Sequence, residues 1–215
     1  MAKDILIFFS GVQGKTNEQD MAEGGKEVGD NEQGIFEEMK KIPKRSGRDR
    51  IDKGWYGSII LLKGTNAAYD FVTHCADYIP NDTRLVIYGY SAGGYNALTL
   101  CRHFDAYNKG NAGRLAPTEI AVDLLVTVDA AARGLTSTID RKVGDCVKRN
   151  VNYYEKTVIL GDILGRSEGG PNTGKCAPLN INLDSGHWIG PKHGEMQDLT
   201  MPQALLEIKK AFGVT

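Results

Sequence analysis

The sequence has 215 residues, of which 41% are hydrophobic and 25% are charged, and its formal net charge is −1. This length suits one domain with a sizeable core, and the composition is typical of a globular protein rather than a disordered chain. The nearly neutral charge gives no overall field for nucleic acid or an anionic membrane, and no apolar run reaches the roughly 18 residues that span a bilayer.

The N-terminal apolar run from Ile5 to Phe9 follows Asp4 and is too short for the core of a signal peptide. We interpret it as a buried first strand. The expected location is the cytoplasm by default, and export without a cleaved signal stays compatible with the sequence.

Five short apolar runs predict buried strands, and a sixth run is a weaker candidate. The runs are 4–10, 58–63, 84–89, 121–128 and 178–183, with 151–155 as the sixth. They are continuous rather than alternating, which is typical of parallel strands that are covered on both faces.

Helical spacing of apolar residues predicts helices at 66–79, 92–106 and 201–212. The last one begins with Thr200 and Gln203 in a capping-box pattern and ends at Gly213. Strands that alternate with helices of this length indicate a three-layer α/β/α sandwich with a mostly parallel central sheet.

Two polar, glycine-containing stretches, 12–57 and 161–177, do not fit regular elements. Loops of this length are usually functional or disordered. We interpret 12–57 as a cap or long loop insertion within a single domain that covers residues 1–215. Its basic cluster at 40–53 is diluted by acidic residues, so a solvated loop is the simpler interpretation and an anionic ligand the alternative.

The four cysteines show neither a CxxC pair nor the spacing of metal ligands, which indicates buried free thiols. They are Cys75, Cys101, Cys146 and Cys176.

The apolar strand and the apolar helix meet at Gly89-Tyr90-Ser91-Ala92-Gly93, a GxSxG motif. A sharp turn here would strain the serine backbone and hold the hydroxyl clear of the sheet. Gly89 and Gly93 leave room beside the neighbouring strand or helix, and the helix N-terminus points N–H groups at developing negative charge. Ser91 is therefore a candidate nucleophile; a glycine-rich turn in a doubly wound sheet is the alternative.

This block resembles the nucleophile elbow of α/β-hydrolases, especially lipase-, esterase- and thioesterase-like members. The order of strands and helices is similar along most of the chain, whereas only the elbow is specific as a motif. The resemblance implies a small α/β-hydrolase fold and a serine hydrolase without cofactor or metal. Its expected substrate is a small-molecule or lipid acyl ester, either a carboxyl ester or a thioester.

Serine needs a histidine base within hydrogen-bond reach. His74 lies in the predicted helix before the motif, and His103 lies 12 positions after the serine, about 18 Å along the helix axis. His187 follows the last predicted strand, where α/β-hydrolases place their histidine, so we favour it as the base. The alternatives are His193, six residues later, and a structural role in which His187 packs on Trp188.

The acid that orients the histidine is expected at the end of a strand. Asp129 closes the run 121–128, and the order Ser91, Asp129, His187 matches that of the family. The commoner family position is one strand later, where Asp162 or Glu155 would fit. A helix N-cap is the structural alternative for Asp129, because three alanines follow it.

The oxyanion hole needs two backbone N–H groups. The residue after the nucleophile, Ala92, supplies one in this family. By the same analogy, the loop after the first strand supplies the other, from Val12 or Gly11.

Gly14-Lys15-Thr16 matches the end of a phosphate-binding P-loop, and Val128-Asp129 could imitate its magnesium-binding aspartate. The first glycine of that pattern is replaced by Phe9, and the residues after Thr16 make a poor helix. A nucleotide-binding protein and a non-catalytic binding module on the hydrolase scaffold are thus the two competing functions. No feature predicts a nucleic-acid partner, and the oligomeric state stays open.

Overall fold

Parallel strands of apolar residues form the centre of the molecule. The computed structural model describes residues 4–9, 38–39, 55–56, 59–62, 79, 83–111, 119–131, 139–156, 169–183 and 195–214. In these ranges the strands are β1 (Asp4–Phe9), β2 (Trp55–Tyr56), β3 (Ile59–Leu62), β4 (Arg84–Tyr90), β5 (Leu124–Val128), β6 (Asn150–Tyr154) and β7 (Leu179–Asn182). They form one sheet in the order β2-β3-β1-β4-β5-β6-β7. All neighbours are parallel except β2 and β3.

Two helices, α1 (Ala92–Asn111) and α2 (Met196–Ala211), cover opposite faces of this sheet. Alternate residues of β1 separate the two cores: Ile7 packs with Leu98 of α1, whereas Phe8 packs with Ile208 of α2. Because successive side chains of a strand point to opposite faces, these two cores lie on either side of the sheet. The predicted α/β/α sandwich with a mostly parallel sheet is therefore confirmed.

Apart from β2, which lies in the stretch 12–57 predicted to lack regular elements, the described strands lie where the apolar runs predict them, and 150–154 confirms the sixth. The other strand starts agree to within one residue, except that β5 begins at Leu124 rather than at residue 121. Val122 forms an isolated parallel bridge with Val147. The Asp123 carboxylate then accepts a hydrogen bond from the Leu85 N–H at 2.9 Å and pairs with Lys148 at 2.8 Å. These side-chain contacts add to backbone hydrogen bonds at the beginning of the run, where the Asp123 N–H donates to the Leu85 carbonyl at 2.8 Å.

The last helix begins at Met196, so the capping box predicted at Thr200 and Gln203 is wrong. Thr200 lies inside α2, where its hydroxyl donates to the Met196 carbonyl at 2.8 Å. The predicted end at Gly213 is confirmed: this residue has φ +62°. The N–H groups of Gly213 and Val214 bond to carbonyls of the last turn at 3.0 and 2.9 Å, which is a Schellman motif.

Parts of the stretch 12–57 belong to the body of the domain. Met39 is fully buried in the core on the α2 face, and Trp55–Tyr56 forms the edge strand β2. The helix predicted at 66–79 lies outside the described residues apart from Ile79, which is buried in the α1 core. The helix predicted at 92–106 is confirmed and continues to Asn111.

Candidate active site

The turn between β4 and α1 holds Ser91 in a left-handed backbone conformation, with φ +57°. For a residue with a Cβ atom this conformation costs about 1–2 kcal/mol. The Ser91 N–H donates to the Val128 carbonyl at 2.9 Å, and the Ser91 carbonyl accepts from the N–H groups of Gly94 at 2.9 Å and Ala131 at 3.0 Å. Bonds to α1 and to the end of β5 therefore fix the strained residue.

Two glycines allow the close packing around this turn. A Cβ atom on Gly89 would lie 2.4 Å from the Gly93 carbonyl oxygen, and one on Gly94 would lie 2.8 Å from the Ala130 Cβ. Gly89 thus has the space-making role that the motif predicts. The close approach to the neighbouring segment is made by Gly94, which the motif does not include; the doubled glycine in the sequence was the available signal.

The N-terminus of α1 faces no acidic side chain of its own first turn. Ala92 is the first residue of the helix, and both Ser91 and Ala92 are partly exposed. A helix N-terminus carries partial positive charge on its unpaired N–H groups. This end of α1 is therefore suited to stabilise negative charge next to the Ser91 side chain.

Asp129 follows β5, the strand beside β4, and is 2% exposed. Its φ of +43° is also left-handed, and among the described residues only Ser91 and Ala177 share this feature outside glycine. Its N–H donates to the Tyr153 carbonyl at 2.7 Å. Ala130 and Ala131 after it are not helical, so Asp129 does not directly precede a helix as an N-cap would.

Gly169 lies directly against the buried Asp129 carboxylate. A Cβ atom on Gly169 would lie 2.4 Å from Asp129 Oδ1 and 2.1 Å from the Glu155 carbonyl oxygen. Glu155 follows β6, one strand beyond Asp129, and is 9% exposed. Two of the three candidate acids thus lie at neighbouring strand ends, on either side of one glycine.

Arg141 joins the segments on both sides of Asp129. Its Nη2 donates to the Ala130 carbonyl at 3.0 Å, and its Nη1 donates to the Gly170 carbonyl at 3.3 Å. Burial lowers the pKa of Arg141, and the nearby Asp129 charge opposes that shift. Sequence reasoning missed this residue, because an arginine in an irregular stretch carries no local signal.

A network of polar side chains, all of them buried except the partly exposed Asn180, lies on the α1 face of β5, β6 and β7. The Asn152 amide donates to Gly170 at 2.9 Å and to Asn180 at 2.8 Å, and the Asn172 amide donates to Thr127 at 2.9 Å. These bonds fasten the 169–172 segment to the sheet, next to Asp129. The members of the network are Thr127, Asn150, Asn152, Asn172 and Asn180.

His103 lies in α1, away from the turn, as the spacing predicts. Burial and the neighbouring Arg102 lower the pKa of His103. The structure brings Ser91, Ala92 and Asp129 to the carboxyl ends of β4 and β5. The other predicted site residues lie outside the described ranges: His187, His193, His74, Asp162, Val12, Gly11 and the Gly14-Lys15-Thr16 motif.

Three of the four cysteines are free thiols packed against the α1 core; Cys75 is outside the described residues. The Cys146 thiol donates to the Cys101 carbonyl at 3.4 Å. A hydrogen bond with Cys101, together with burial, raises the pKa of Cys146, and burial raises that of Cys176. These groups are therefore poor nucleophiles at neutral pH.

In the described part of the chain, no cluster of three or more His, Cys, Asp or Glu side chains is arranged to hold a metal ion. No helix there combines the length and the apolar character needed to cross a membrane.

No protein-family model and no curated protein matches this sequence. Among solved structures, the chain is similar to the Tle1 effector bound to the VgrG spike from the Type 6 secretion system, with 14% identity and a TM-score of 0.37. The match covers 90% of this chain and 50% of the other, so this chain spans about half the length of that neighbour.

Proposed function

We propose that the protein is a serine hydrolase that cleaves an ester through Ser91, His187 and Asp129 and an acyl-enzyme intermediate. The observation that carries this proposal is the pairing of two strained residues at adjacent strand ends. Ser91 and Asp129 both have left-handed φ, and Ser91 is hydrogen-bonded to Val128 and Ala131, which flank Asp129. Such strain persists only where the surrounding structure enforces it, and it clusters at functional sites.

In the acylation step, His187 accepts the Ser91 hydroxyl proton while the oxygen attacks the ester carbonyl carbon. The carbonyl oxygen becomes an oxyanion, which the N–H groups of Ala92 and Val12 stabilise. His187 then donates its proton to the leaving alcohol or thiol as the bond to the acyl carbon breaks. The partial positive charge of the α1 N-terminus favours the same oxyanion.

In the deacylation step, His187 accepts a proton from water, and the resulting hydroxyl attacks the acyl carbon. Collapse of the second oxyanion releases the acid and returns the proton to Ser91. Asp129 holds the imidazole in the required tautomer and offsets the charge of imidazolium. Its burial supports this assignment, because a carboxylate held in a low-dielectric site interacts strongly with a neighbouring charge.

The test is labelling by a fluorophosphonate probe, followed by mass spectrometry of the modified peptide. We expect wild-type protein to be labelled on Ser91 and Ser91→Ala to remain unlabelled. Thr99→Ala is the matched control, because it removes a hydroxyl that lies in α1, beyond the turn of Ser91, and donates to the Tyr95 carbonyl at 2.9 Å. This control should be labelled at the wild-type rate.

Folded wild-type protein that resists the probe would contradict the hydrolase proposal and favour a non-catalytic module. For labelled protein, a panel of p-nitrophenyl esters and acyl thioesters of increasing chain length assigns the substrate class.

The acid is assigned by comparing Asp129→Asn with Glu155→Gln and Asp162→Asn. The substitution that replaces the acid of the triad lowers kcat by about 10³–10⁴-fold, because the amide stabilises the wrong tautomer of the histidine. We expect this loss for Asp129→Asn alone. A similar loss confined to either of the other two variants would transfer the role to that residue.

A further inference from the structure

The Arg141 guanidinium spans the two segments that enclose Asp129. One nitrogen is bound to the carbonyl of Ala130, the residue after the acid, and another is bound to the carbonyl of Gly170. These carbonyls belong to segments that are 40 residues apart in sequence but adjacent at the end of the sheet. One planar group therefore sets the separation between them.

This separation matters because Gly169 contacts the carboxylate itself. The absence of a side chain lets its backbone approach Asp129 Oδ1 so closely that a Cβ atom would lie 2.4 Å away. A shift of the 169–170 segment therefore opens or closes the space in which the carboxylate rotates.

The same Gly170 carbonyl accepts a second hydrogen bond, from Asn152 at 2.9 Å. Asn152 is fully buried and is held by Thr127 at 2.9 Å and by Asn180 at 2.8 Å. The hydrogen bond from Asn152 thus ties the Gly170 carbonyl to the sheet. Arg141 ties the same carbonyl to the carbonyl of Ala130. Such networks define one geometry when their members are satisfied.

Partial burial of a guanidinium carries a desolvation cost, and burial lowers the pKa of Arg141, which is partly exposed. Two carbonyl partners and the Asp129 charge offset that cost. Both carbonyls belong to the segments that enclose the Asp129 carboxylate.

We infer that Arg141 is a positioning residue that fixes the orientation of the Asp129 carboxylate toward the catalytic imidazole by clamping Ala130 to Gly170. This inference rests on the proposed function. Arg141 donates to the backbone carbonyls of Ala130 and Gly170, so in this role its loss should affect turnover rather than substrate binding.

The experiment compares kcat and KM of Arg141→Met, Arg141→Lys and wild type, on whichever ester the wild-type protein hydrolyses. Misplacement of a catalytic group by about 1 Å costs up to about 100-fold in rate. We expect Arg141→Met to lower kcat about 10–100-fold while KM changes less than about threefold. Arg141→Lys keeps the charge and one donor direction, so it should restore part of the lost kcat.

Arg102→Met is the matched control. Arg102 donates to the carbonyls of Asp140 and Lys142 at 3.0 and 3.3 Å, on either side of Arg141, and is bound to Thr99 rather than to the Asp129 surroundings. The Arg102→Met substitution loosens the loop around Arg141 but leaves the hydrogen bond between Arg141 and Gly170 in place. We expect its kcat to stay within about twofold of wild type.

Wild-type kcat in Arg141→Met, or an equal loss in Arg102→Met, would overturn the inference. If Arg141→Met does not fold, Arg141→Lys decides alone: a lower kcat at unchanged KM supports the role, and wild-type kcat overturns it. Failure of the proposed function is a separate result, since it appears as wild-type protein that the fluorophosphonate does not label.

Discussion

Replacing Ser91 by glycine and by alanine separates the backbone strain of the turn from the chemistry of the hydroxyl. Both variants lack the hydroxyl and should be inactive. Alanine keeps the Cβ atom and therefore the cost of φ +57°, whereas glycine adopts this conformation freely. Their difference in stability therefore reports the strain, once the greater flexibility of glycine in the unfolded chain is subtracted.

The magnitude follows from two opposing terms. The left-handed conformation costs a residue with a Cβ atom about 1–2 kcal/mol, which glycine recovers. Glycine also makes the unfolded chain more flexible, which costs about 0.5–1 kcal/mol relative to alanine. We therefore expect Ser91→Gly to be more stable than Ser91→Ala by about 0–1.5 kcal/mol, or up to roughly 6 °C in Tm for a chain of this size.

Urea unfolding followed by circular dichroism measures this difference, provided that the m-values agree. Gly110→Ala is the control with the opposite sign. Gly110 lies near the end of α1, and a Cβ atom there meets nothing within 4 Å, so alanine should be stabilising by about 0.5–1 kcal/mol. If Ser91→Gly is the less stable of the pair, Ser91 is not strained and the basis of the proposed nucleophile is wrong.

Three further predictions test the surroundings of the site. Gly169→Ala should lower kcat at least about tenfold and lower the free energy of unfolding in urea by about 1–3 kcal/mol, because its Cβ atom would lie 2.4 Å from Asp129 Oδ1. Wild-type turnover in this variant would show that the 169–170 segment is free to move. The hydrogen bond with Cys101 and burial raise the pKa of the Cys146 thiol. This thiol should therefore react with Ellman's reagent at pH 8 far more slowly in folded protein than in urea, and equal rates would contradict its raised pKa. Arg84→Met should cost about 2 kcal/mol in urea unfolding, less than a fully buried pair, because the fully buried Asp4 carboxylate loses two hydrogen bonds of 2.7 Å to a guanidinium whose side chain is 30% exposed. An unchanged midpoint would show that the pair contributes nothing.

Most of the sheet could be predicted from the sequence because strands covered on both faces need apolar residues throughout. The runs at β1 and β4 are of this kind, and all but the first residue of β4 are buried. The start of the last helix could not be predicted in the same way. Thr200 and Gln203 match the pattern of a helix beginning, yet burial of Met196 and Gln197 stabilises an earlier turn, so tertiary packing overrides the local signal.

The residues of the candidate site also fall into two groups, those that the sequence predicts and those that it does not. Ser91 and Asp129 were predictable because each directly follows a buried strand, where side chains of parallel sheets meet. The roles of Arg141, Gly169 and Asn152 depend on contacts between segments, with separations of 11 to 29 residues in the hydrogen bonds of Arg141 and Asn152. No local periodicity encodes such contacts.

The polar network around Asn152 explains how a segment without regular structure can be held beside the proposed acid, Asp129. The α1 face is apolar over β1, β4 and Leu125 of β5, whereas from Thr127 onward it carries Thr127 and the asparagines of the network. An apolar surface there would hold the 169–172 segment by non-directional forces, which tolerate sliding. Hydrogen bonds to Gly170 and Asn172 are directional, and each one left unmade in this buried site would cost about 1–3 kcal/mol. Gly169 is therefore held at one position against Asp129 without a helix or strand of its own, and the left-handed turn at Ser91 fixes the proposed nucleophile at the adjacent strand end.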